Sequence, residues 1–143
     1  SMLPNGMVNS NSMVSFNHYA YGAIGDWLYR WAAGLQEAAP GFREIRIKPY
    51  LNDHFTSMKA EQRTPYGLAS SGWTKEGDAL TQTVEIPANT TAEVYVPSAA
   101  ADKVTESGRA LDGRSDLKVA GWDDGYTLVR LGSGRYEFRS TLK

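Results

Sequence analysis

Cysteine is absent from this 143-residue chain, and histidine occurs only twice. The absence of thiols excludes disulfide bonds, thiolate nucleophiles and thiolate-bound zinc. It does not indicate a compartment, because exported proteins also lack cysteine in many cases.

The chain also has no excess of charge of either sign, since 15 Lys+Arg stand against 16 Asp+Glu, which gives a net charge of −1. Neutralisation of phosphates dominates affinity for nucleic acids, so we expect no DNA or RNA partner.

A long apolar run is missing as well, because residues 16–35 contain Asp26, Arg30 and three glycines. We therefore expect no transmembrane segment, and residues 1–6 lack the pattern of a signal peptide.

The composition is that of a chain that folds. Apolar residues make up 41% of the sequence and charged residues 22%, with 11% aromatic residues. Such a chain buries a core and is neither disordered nor of low complexity.

The first part of the chain has a helical period. Between Met13 and Leu35, large apolar residues recur at steps of three and four, which predicts one helix of about twenty residues that ends near Gly34. A single helix rich in Trp and Tyr cannot cover its own apolar surface. We expect it to be an internal helix of a larger helical assembly. Its apolar residues are Phe16, Ala20, Ala23, Ile24, Trp27, Leu28, Trp31 and Leu35.

After Gly41 the period changes to two, which is typical of half-buried strands. Turn-forming dipeptides recur about every ten residues without intervening helices. The fold class predicted from these patterns is mainly β: an antiparallel β-sandwich of about eight strands preceded by one long helix. The alternating positions are Ile45/Ile47, Met58/Ala60, Leu80/Gln82/Val84/Ile86, Ala92/Val94/Val96, Leu128/Arg130 against Val129/Leu131, and Tyr136/Phe138.

Several stretches of the chain form specific motifs. The densest is Ser15-Phe16-Asn17-His18-Tyr19-Ala20-Tyr21-Gly22, which continues to Arg30 and is followed by Pro40-Gly41-Phe42-Arg43-Glu44-Ile45 to Pro49. In these residues the chain resembles the C-terminal region of bacterial α-L-rhamnosidases. Residues 67–73, 86–97 and 106–108 look like the β-domain that closes those enzymes. The resemblance covers residues 1–108 well and the remainder only in general character.

The resemblance implies a division of the chain and a reaction. Residues 1–40 would be the C-terminal end of an (α/α)6 catalytic barrel, a loop plus its last helix, and residues 41–143 a C-terminal β-sandwich domain. Family members hydrolyse terminal α-L-rhamnosyl residues with inversion, using two glutamates of the barrel and no cofactor or metal. Neither glutamate is present here, and the general base would sit a few positions before Ser1. We therefore expect the fragment alone to be inactive.

The same resemblance assigns partners and one site residue. The partners are the rest of the barrel and a rhamnosylated glycoside or polysaccharide, and the bacterial compartment stays open between cytoplasm, periplasm and secretion. His18 would face the barrel pocket and hydrogen-bond the sugar, for which an imidazole that donates and accepts is suited. Without the motif, a lone histidine on an apolar helix is explained by a neighbouring carbonyl or carboxylate. Asn17 could tie a barrel loop or serve as a cap.

Another function class stays open, a non-catalytic carbohydrate-binding or interaction module. Exposed aromatic residues of a sandwich can stack on sugar rings, although such residues are more often core or cross-strand pairs. A third possibility is a family member that has lost catalysis. The aromatic residues in question are Tyr66, Trp73, Tyr95, Trp122 and Tyr126.

The remaining polar clusters have simpler interpretations. Asp123-Asp124-Gly125 is typical of a turn, and Asn52-Asp53-His54 is predicted to be a loop, since a metal site needs three or four convergent ligands. Asn89-Thr90-Thr91 matches a glycosylation acceptor but follows Ile86-Pro87 as a hairpin turn would. We also expect the helix face freed by truncation, with its Trp and Tyr residues, to be covered by self-association of the fragment or by refolding on the sandwich.

Overall fold

The computed structural model describes residues 32–143, which are all-β apart from two short 3-10 turns, Pro40–Phe42 and Ala101–Lys103. No helix within residues 32–143 has the length and apolar character needed to cross a membrane. The eleven strands of this region are β1 (Leu35–Glu37), β2 (Glu44–Ile47), β3 (Ser57–Thr64), β4 (Gly67–Glu76), β5 (Ala79–Ile86), β6 (Thr91–Pro97), β7 (Val104–Glu106), β8 (Arg109–Ala110), β9 (Leu117–Asp123), β10 (Tyr126–Leu131) and β11 (Gly134–Thr141).

The strands form two sheets. One has five strands in the order β1-β2-β6-β10-β9, and the other has six in the order β3-β4-β5-β11-β7-β8. Neighbouring strands are antiparallel except β2 and β6, which run parallel with Ile45 opposite Ala92. The chain changes sheet after β2, β5, β6, β8 and β10, so the two sheets are closely interwoven in sequence.

The core follows from alternation along the strands. In β5 the side chains of Leu80, Gln82, Val84 and Ile86 are buried while those between them are not, and in β6 Ala92, Val94 and Val96 are buried in the same way. Each large apolar side chain of this kind stabilises the fold by roughly 1.5–3 kcal/mol. The core cluster draws on both sheets and contains Leu35, Ile45, Ile47, Ala69, Val84, Ile86, Ala92, Val94, Val96, Val104, Leu111, Leu117, Val129, Leu131 and Phe138.

The sandwich is therefore confirmed, but the predicted fold class is wrong in its helical part. Among residues 32–143 there is no long helix, and Leu35, which the apolar period assigned to the helix, is the first residue of β1 and pairs with Ile47. Gly34 has a φ of +72° and cannot continue a regular helix. The apolar spacing that reaches Leu35 therefore does not indicate helix at that residue. The rest of the predicted helix, residues 13–31, lies outside the described residues.

The number of strands and one of their connections also differ from the prediction. The described region has eleven strands instead of about eight, because β1, β7 and β8 have only two or three residues and show no period. β4 was missed because its small residues, Ala69-Ser70-Ser71-Gly72, carry no hydrophobic alternation. The turn at Asn89 is not a hairpin, since it connects β5 of one sheet to β6 of the other.

The division of the chain at residues 40 and 41 stays a prediction. Within the described part, β1 precedes this point and is hydrogen-bonded to β2 in the five-stranded sheet.

Candidate functional site

The most constrained place in the described structure is where the chain enters the sandwich. We call Ala32–Gly34 the entry segment, and all three residues are buried. Two side chains of β4 bind its main chain. The indole Nε1 of Trp73 donates to the Ala32 carbonyl at 2.8 Å, and the Ser71 hydroxyl donates to the Ala33 carbonyl at 2.7 Å. The six-stranded sheet thus fixes two successive carbonyls of the entry segment.

The other sheet fixes the entry segment at Gly34. The Lys48 amide, directly after β2, donates to the Gly34 carbonyl at 2.9 Å. A Cβ at Gly34 would lie 2.1 Å from the carbonyl carbon of Lys48 and 2.3 Å from the nitrogen of Pro49. Since real Cβ atoms do not approach backbone this closely, only glycine fits, which accounts for a glycine at this junction.

The Lys48-Pro49 dipeptide is itself in contact with three tyrosines, two of which, Tyr95 and Tyr126, belong to the five-stranded sheet. The Tyr126 hydroxyl donates to the Pro49 carbonyl at 2.8 Å. The Lys48 ammonium lies 5.0 Å from the ring centroid of Tyr95, 5.1 Å from that of Tyr126 and 5.9 Å from that of Tyr50. These distances are those of cation–π contacts. Burial raises the pKa of Tyr126 to about 12, so its hydroxyl stays protonated and able to donate at neutral pH.

Another buried polar side chain lies on the strand next to Trp73. Gln82 of β5 is directly opposite Trp73 of β4 in the antiparallel register. It is 0% exposed, and neither its amide nitrogen nor its amide oxygen has a hydrogen-bond partner among residues 32–143. Sequence reasoning missed Gly34, Ser71 and Gln82 as site residues, because nothing local distinguishes them from ordinary strand and turn positions.

One pair of carboxylates comes together, but its setting is structural. Arg114 donates from Nε to Asp116 at 2.7 Å and pairs through a terminal nitrogen with Glu106 at 2.9 Å. The hydrogen bond from Arg114 holds the pKa of Asp116 below its usual range. Glu106 also accepts from the Ser107 hydroxyl at 2.6 Å. A catalytic acid of a glycosidase needs a raised pKa, so these contacts favour a structural role, in which Arg114 attaches the connection between β8 and β9 to the end of β7, over acid catalysis.

The aromatic residues proposed as a sugar platform are divided between the sheets. Trp73 is 3% exposed and occupied by the entry segment, and Tyr66 lies in the turn after β3. Tyr95 and Tyr126 meet edge to face with centroids 6.1 Å apart. Trp122 is 47% exposed, with its indole donating to the Ser98 carbonyl at 3.0 Å. These positions do not favour a common stacking surface for a carbohydrate.

The two loop interpretations are confirmed. Asp124 and Gly125 have φ values of 48° and 83° and form the turn between β9 and β10. The side-chain oxygen of Asn52 accepts from the main-chain nitrogens of His54 at 2.9 Å and Phe55 at 3.1 Å, as in an Asx turn. Residues 32–143 contain no cluster of three metal-ligating side chains.

His18 and Asn17 lie outside the described residues, and so does the helix face expected to drive self-association. The sugar contact of His18 stays a prediction.

Comparison with known proteins identifies what the chain is similar to. The family model for the bacterial α-L-rhamnosidase C-terminal domain matches residues 34–111, beginning at the constrained glycine. The α-L-rhamnosidase of Streptomyces avermitilis is 33% identical over 138 residues, covering 96% of this chain and 13% of the relative. An α-L-rhamnosidase of Formosa agariphila is 33% identical over 132 residues, covering 92% of this chain and 14% of the relative.

A solved structure shows the same architecture. The crystal structure of Streptomyces avermitilis α-L-rhamnosidase complexed with L-rhamnose matches with a TM-score of 0.77 and 31% identity. The match covers 99% of this chain and 13% of that chain. The present chain thus spans about one seventh of the length of its relatives, 13–14%. Because the family model covers more than half of the residues, the chain belongs to the bacterial α-L-rhamnosidase family, of which it contains the C-terminal domain.

Proposed function

We propose that this chain is the C-terminal part of an enzyme that hydrolyses terminal α-L-rhamnosyl residues, and that its sandwich supports the catalytic part. Family membership supports the reaction. The observation that carries the supporting role is the double attachment of the entry segment. Ala32 and Ala33 are bound by β4 of one sheet, and Gly34 is bound by Lys48 beside the other.

The mechanical reason is the difference between a flexible linker and a fixed connection. A flexible linker lets two domains reorient freely, whereas buried main-chain hydrogen bonds fix the direction in which the chain leaves a domain. The sandwich then acts as a rigid support whose stability is shared with whatever precedes Ala32. The rest of the parent protein, including the barrel, is its main partner.

The chemistry belongs to the part that precedes this chain. Hydrolysis with inversion uses one carboxylic acid to protonate the leaving oxygen and a second carboxylate to activate water. Both are supplied by the preceding part, so the 143-residue chain by itself has no activity. It contributes His18, whose imidazole hydrogen-bonds the bound rhamnose, and it needs no cofactor.

Two protein preparations test the reaction: the complete protein, including the residues encoded upstream, and the 143-residue chain. The complete protein should release the aglycone from an aryl α-L-rhamnoside and form the β-anomer first, and the short chain should release none. In the complete protein His18→Ala should raise KM by about tenfold, the loss of one sugar hydrogen bond. Activity of the short chain, or an inactive complete protein, would contradict the proposal.

A matched pair of variants tests the supporting role. Ser71→Ala and Ser140→Ala each remove one buried hydroxyl that donates to a main-chain carbonyl, of Ala33 at 2.7 Å and of Pro97 at 2.6 Å respectively. In the complete protein at low temperature, both should keep the unaltered kcat/KM. On heating, Ser71→Ala should inactivate at a lower temperature than Ser140→Ala, because only Ser71 binds the entry segment. Equal inactivation temperatures would refute the supporting role of this contact.

A further inference from the structure

The outer face of the five-stranded sheet carries a polar groove of about 550 Å³. This volume lies within the range of about 300–1,000 Å³ that is usual for small-molecule sites. A row of charged side chains crosses the groove on four neighbouring strands. Arg46 of β2 is opposite Glu93 of β6, Glu93 is opposite Arg130 of β10, and Arg130 is opposite Lys118 of β9. We call these four residues the charged row.

The charged row faces away from the core, because the residues before and after each of its members pack inwards. Its contacts are ion pairs of moderate length. A terminal nitrogen of Arg46 lies 3.6 Å from Oε2 of Glu93, and Nε of Arg130 lies 3.5 Å from Oε1. Hydrogen bonds of this kind measure about 2.7–3.2 Å, so these pairs leave donors and acceptors available to a third group.

The lining of the groove is neutral as a whole. Carboxylates and cationic side chains are equal in number, which gives no net field to concentrate an anion or a cation. The hydroxyls of Thr91 and Ser115 also line it, and these polar groups do not suit an apolar ligand. The charged lining residues are Glu44, Glu93 and Asp116 against Arg46, Lys118 and Arg130.

A neutral molecule with many hydroxyl groups matches this lining. A carboxylate only accepts hydrogen bonds and a guanidinium only donates them, whereas a hydroxyl does both. Neighbouring hydroxyls of a sugar ring can therefore meet Glu93 and an arginine at the same time. Four strands about 4.8 Å apart make the charged row about 14 Å long. The row is longer than one sugar ring, so it suits an oligosaccharide better than a single sugar.

We propose that this groove binds a neutral oligosaccharide through hydrogen bonds between its hydroxyls and the charged row. No aromatic side chain among residues 32–143 lines the groove, so recognition does not use ring stacking. The inference deepens the proposed function, because it names the part of the substrate that the sandwich would hold. It rests on that function for the identity of the saccharide as a rhamnosylated one.

Titration of the isotope-labelled 143-residue chain with α-L-rhamnosyl-(1→6)-D-glucose, followed by amide NMR, tests binding. The amides of Glu93, Lys118 and Arg130 should shift and saturate, while those of β3 in the other sheet stay unchanged. About 20 mM ligand nearly saturates a site with a Kd of about 1 mM. Unchanged groove amides at that concentration would overturn the inference. Tighter binding of sodium glucuronate than of the disaccharide would also overturn it, because the groove would then select charge.

A matched pair of arginine variants locates the binding. Arg130→Met and Arg135→Met each remove a guanidinium that faces a glutamate directly opposite on the next strand, Glu93 at 3.5 Å and Glu85 at 3.4 Å. Both pairs are on the surface and contribute little to stability, so both variants should fold. Arg130→Met should raise the Kd about tenfold, since hydrogen bonds from a charged donor are lost. Arg135 lies outside the groove, and Arg135→Met should bind as the unaltered chain does. Equal affinities of the two variants would contradict the assignment.

The complete protein shows whether the groove serves the enzyme. The ratio of kcat/KM for a rhamnosylated oligosaccharide to that for an aryl α-L-rhamnoside should fall about tenfold in Arg130→Met and stay unchanged in Arg135→Met. An unchanged ratio in Arg130→Met would mean that the groove is covered in the complete protein, and would overturn the inference. An inactive complete protein would contradict the proposed reaction, whereas binding by the groove is still decided by the titration of the 143-residue chain.

Discussion

Gly34 provides the sharpest prediction about the junction. In Gly34→Ala, the new Cβ would lie 2.1 Å from the Lys48 carbonyl carbon and 2.3 Å from both the Lys48 oxygen and the Pro49 nitrogen. These are backbone atoms, which cannot rotate away as a flexible side chain would. The substitution therefore forces the entry segment and the end of β2 apart, and weakens the bond from the Lys48 amide to the Gly34 carbonyl.

The free-energy cost has two parts. Gly34 has a φ of +72°, and a residue with a Cβ pays roughly 1–2 kcal/mol in the left-handed region. Overpacking a tight site costs about a further 1–3 kcal/mol. We expect Gly34→Ala to lower the free energy of unfolding by about 2–5 kcal/mol.

A second glycine separates the two parts. Gly77, in the turn between β4 and β5, has a φ of +60° and nothing within 4 Å of an added Cβ. Gly77→Ala should therefore show only the conformational cost of about 1–2 kcal/mol. The loss of unfolded-state entropy from Gly to Ala is common to both variants and cancels in the comparison.

Urea unfolding of the 143-residue chain and of both variants measures the difference. With equal slopes against urea, the midpoint of Gly34→Ala should lie well below that of Gly77→Ala. Equal midpoints for the two variants would refute the reasoning, because they would mean that the close approach of Gly34 to Lys48 and Pro49 contributes nothing.

Three further predictions concern polar side chains. Ser98 and Thr127 hydroxyls bond at 2.7 Å in the core, so Thr127→Val should lower the free energy of unfolding by about 1–3 kcal/mol in urea titration, and no change would contradict it. The pKa of Tyr126 is raised from 10.0 to about 12, so its contribution is complete below pH 10 and is lost as the pH rises towards 12; Tyr126→Phe should lose less stability over that range. Hydrogen bonding by Arg114 lowers the pKa of Asp116, so its contribution is present above the unfolded pKa and is lost as the pH falls through the folded one. Unfolding of Asp116→Asn followed down to acid pH should therefore be less pH-dependent than that of the unaltered chain.

Parts of the fold could be predicted because their signals are local. The alternation of β5 and β6 and the turn at Asp124-Gly125 depend on residues two or three positions apart, which the printed sequence places side by side. The quoted motifs similarly identified the family without any tertiary information. The division into domains and the role of His18 stay predictions.

The errors occurred where local signals were absent or misleading. Leu35 continues the apolar steps of the preceding residues, yet its main chain pairs with Ile47 as the start of β1. β4 has a glycine and small residues at its centre, so its place beside β5 was invisible. Trp73 was a candidate for stacking on sugar by its residue type, and it is buried instead.

The sequence by itself therefore determined the β-sandwich, most of the longer strands, turns such as Asp124-Gly125 and the family. Only the tertiary structure decided the site, because its contacts join residues far apart in the chain. Trp73 binds a carbonyl 41 positions away at Ala32, and Tyr126 binds one 77 positions away at Pro49. No short-range pattern encodes such pairs, since they exist only after the two sheets have packed and brought β4 and the end of β2 around the entering chain.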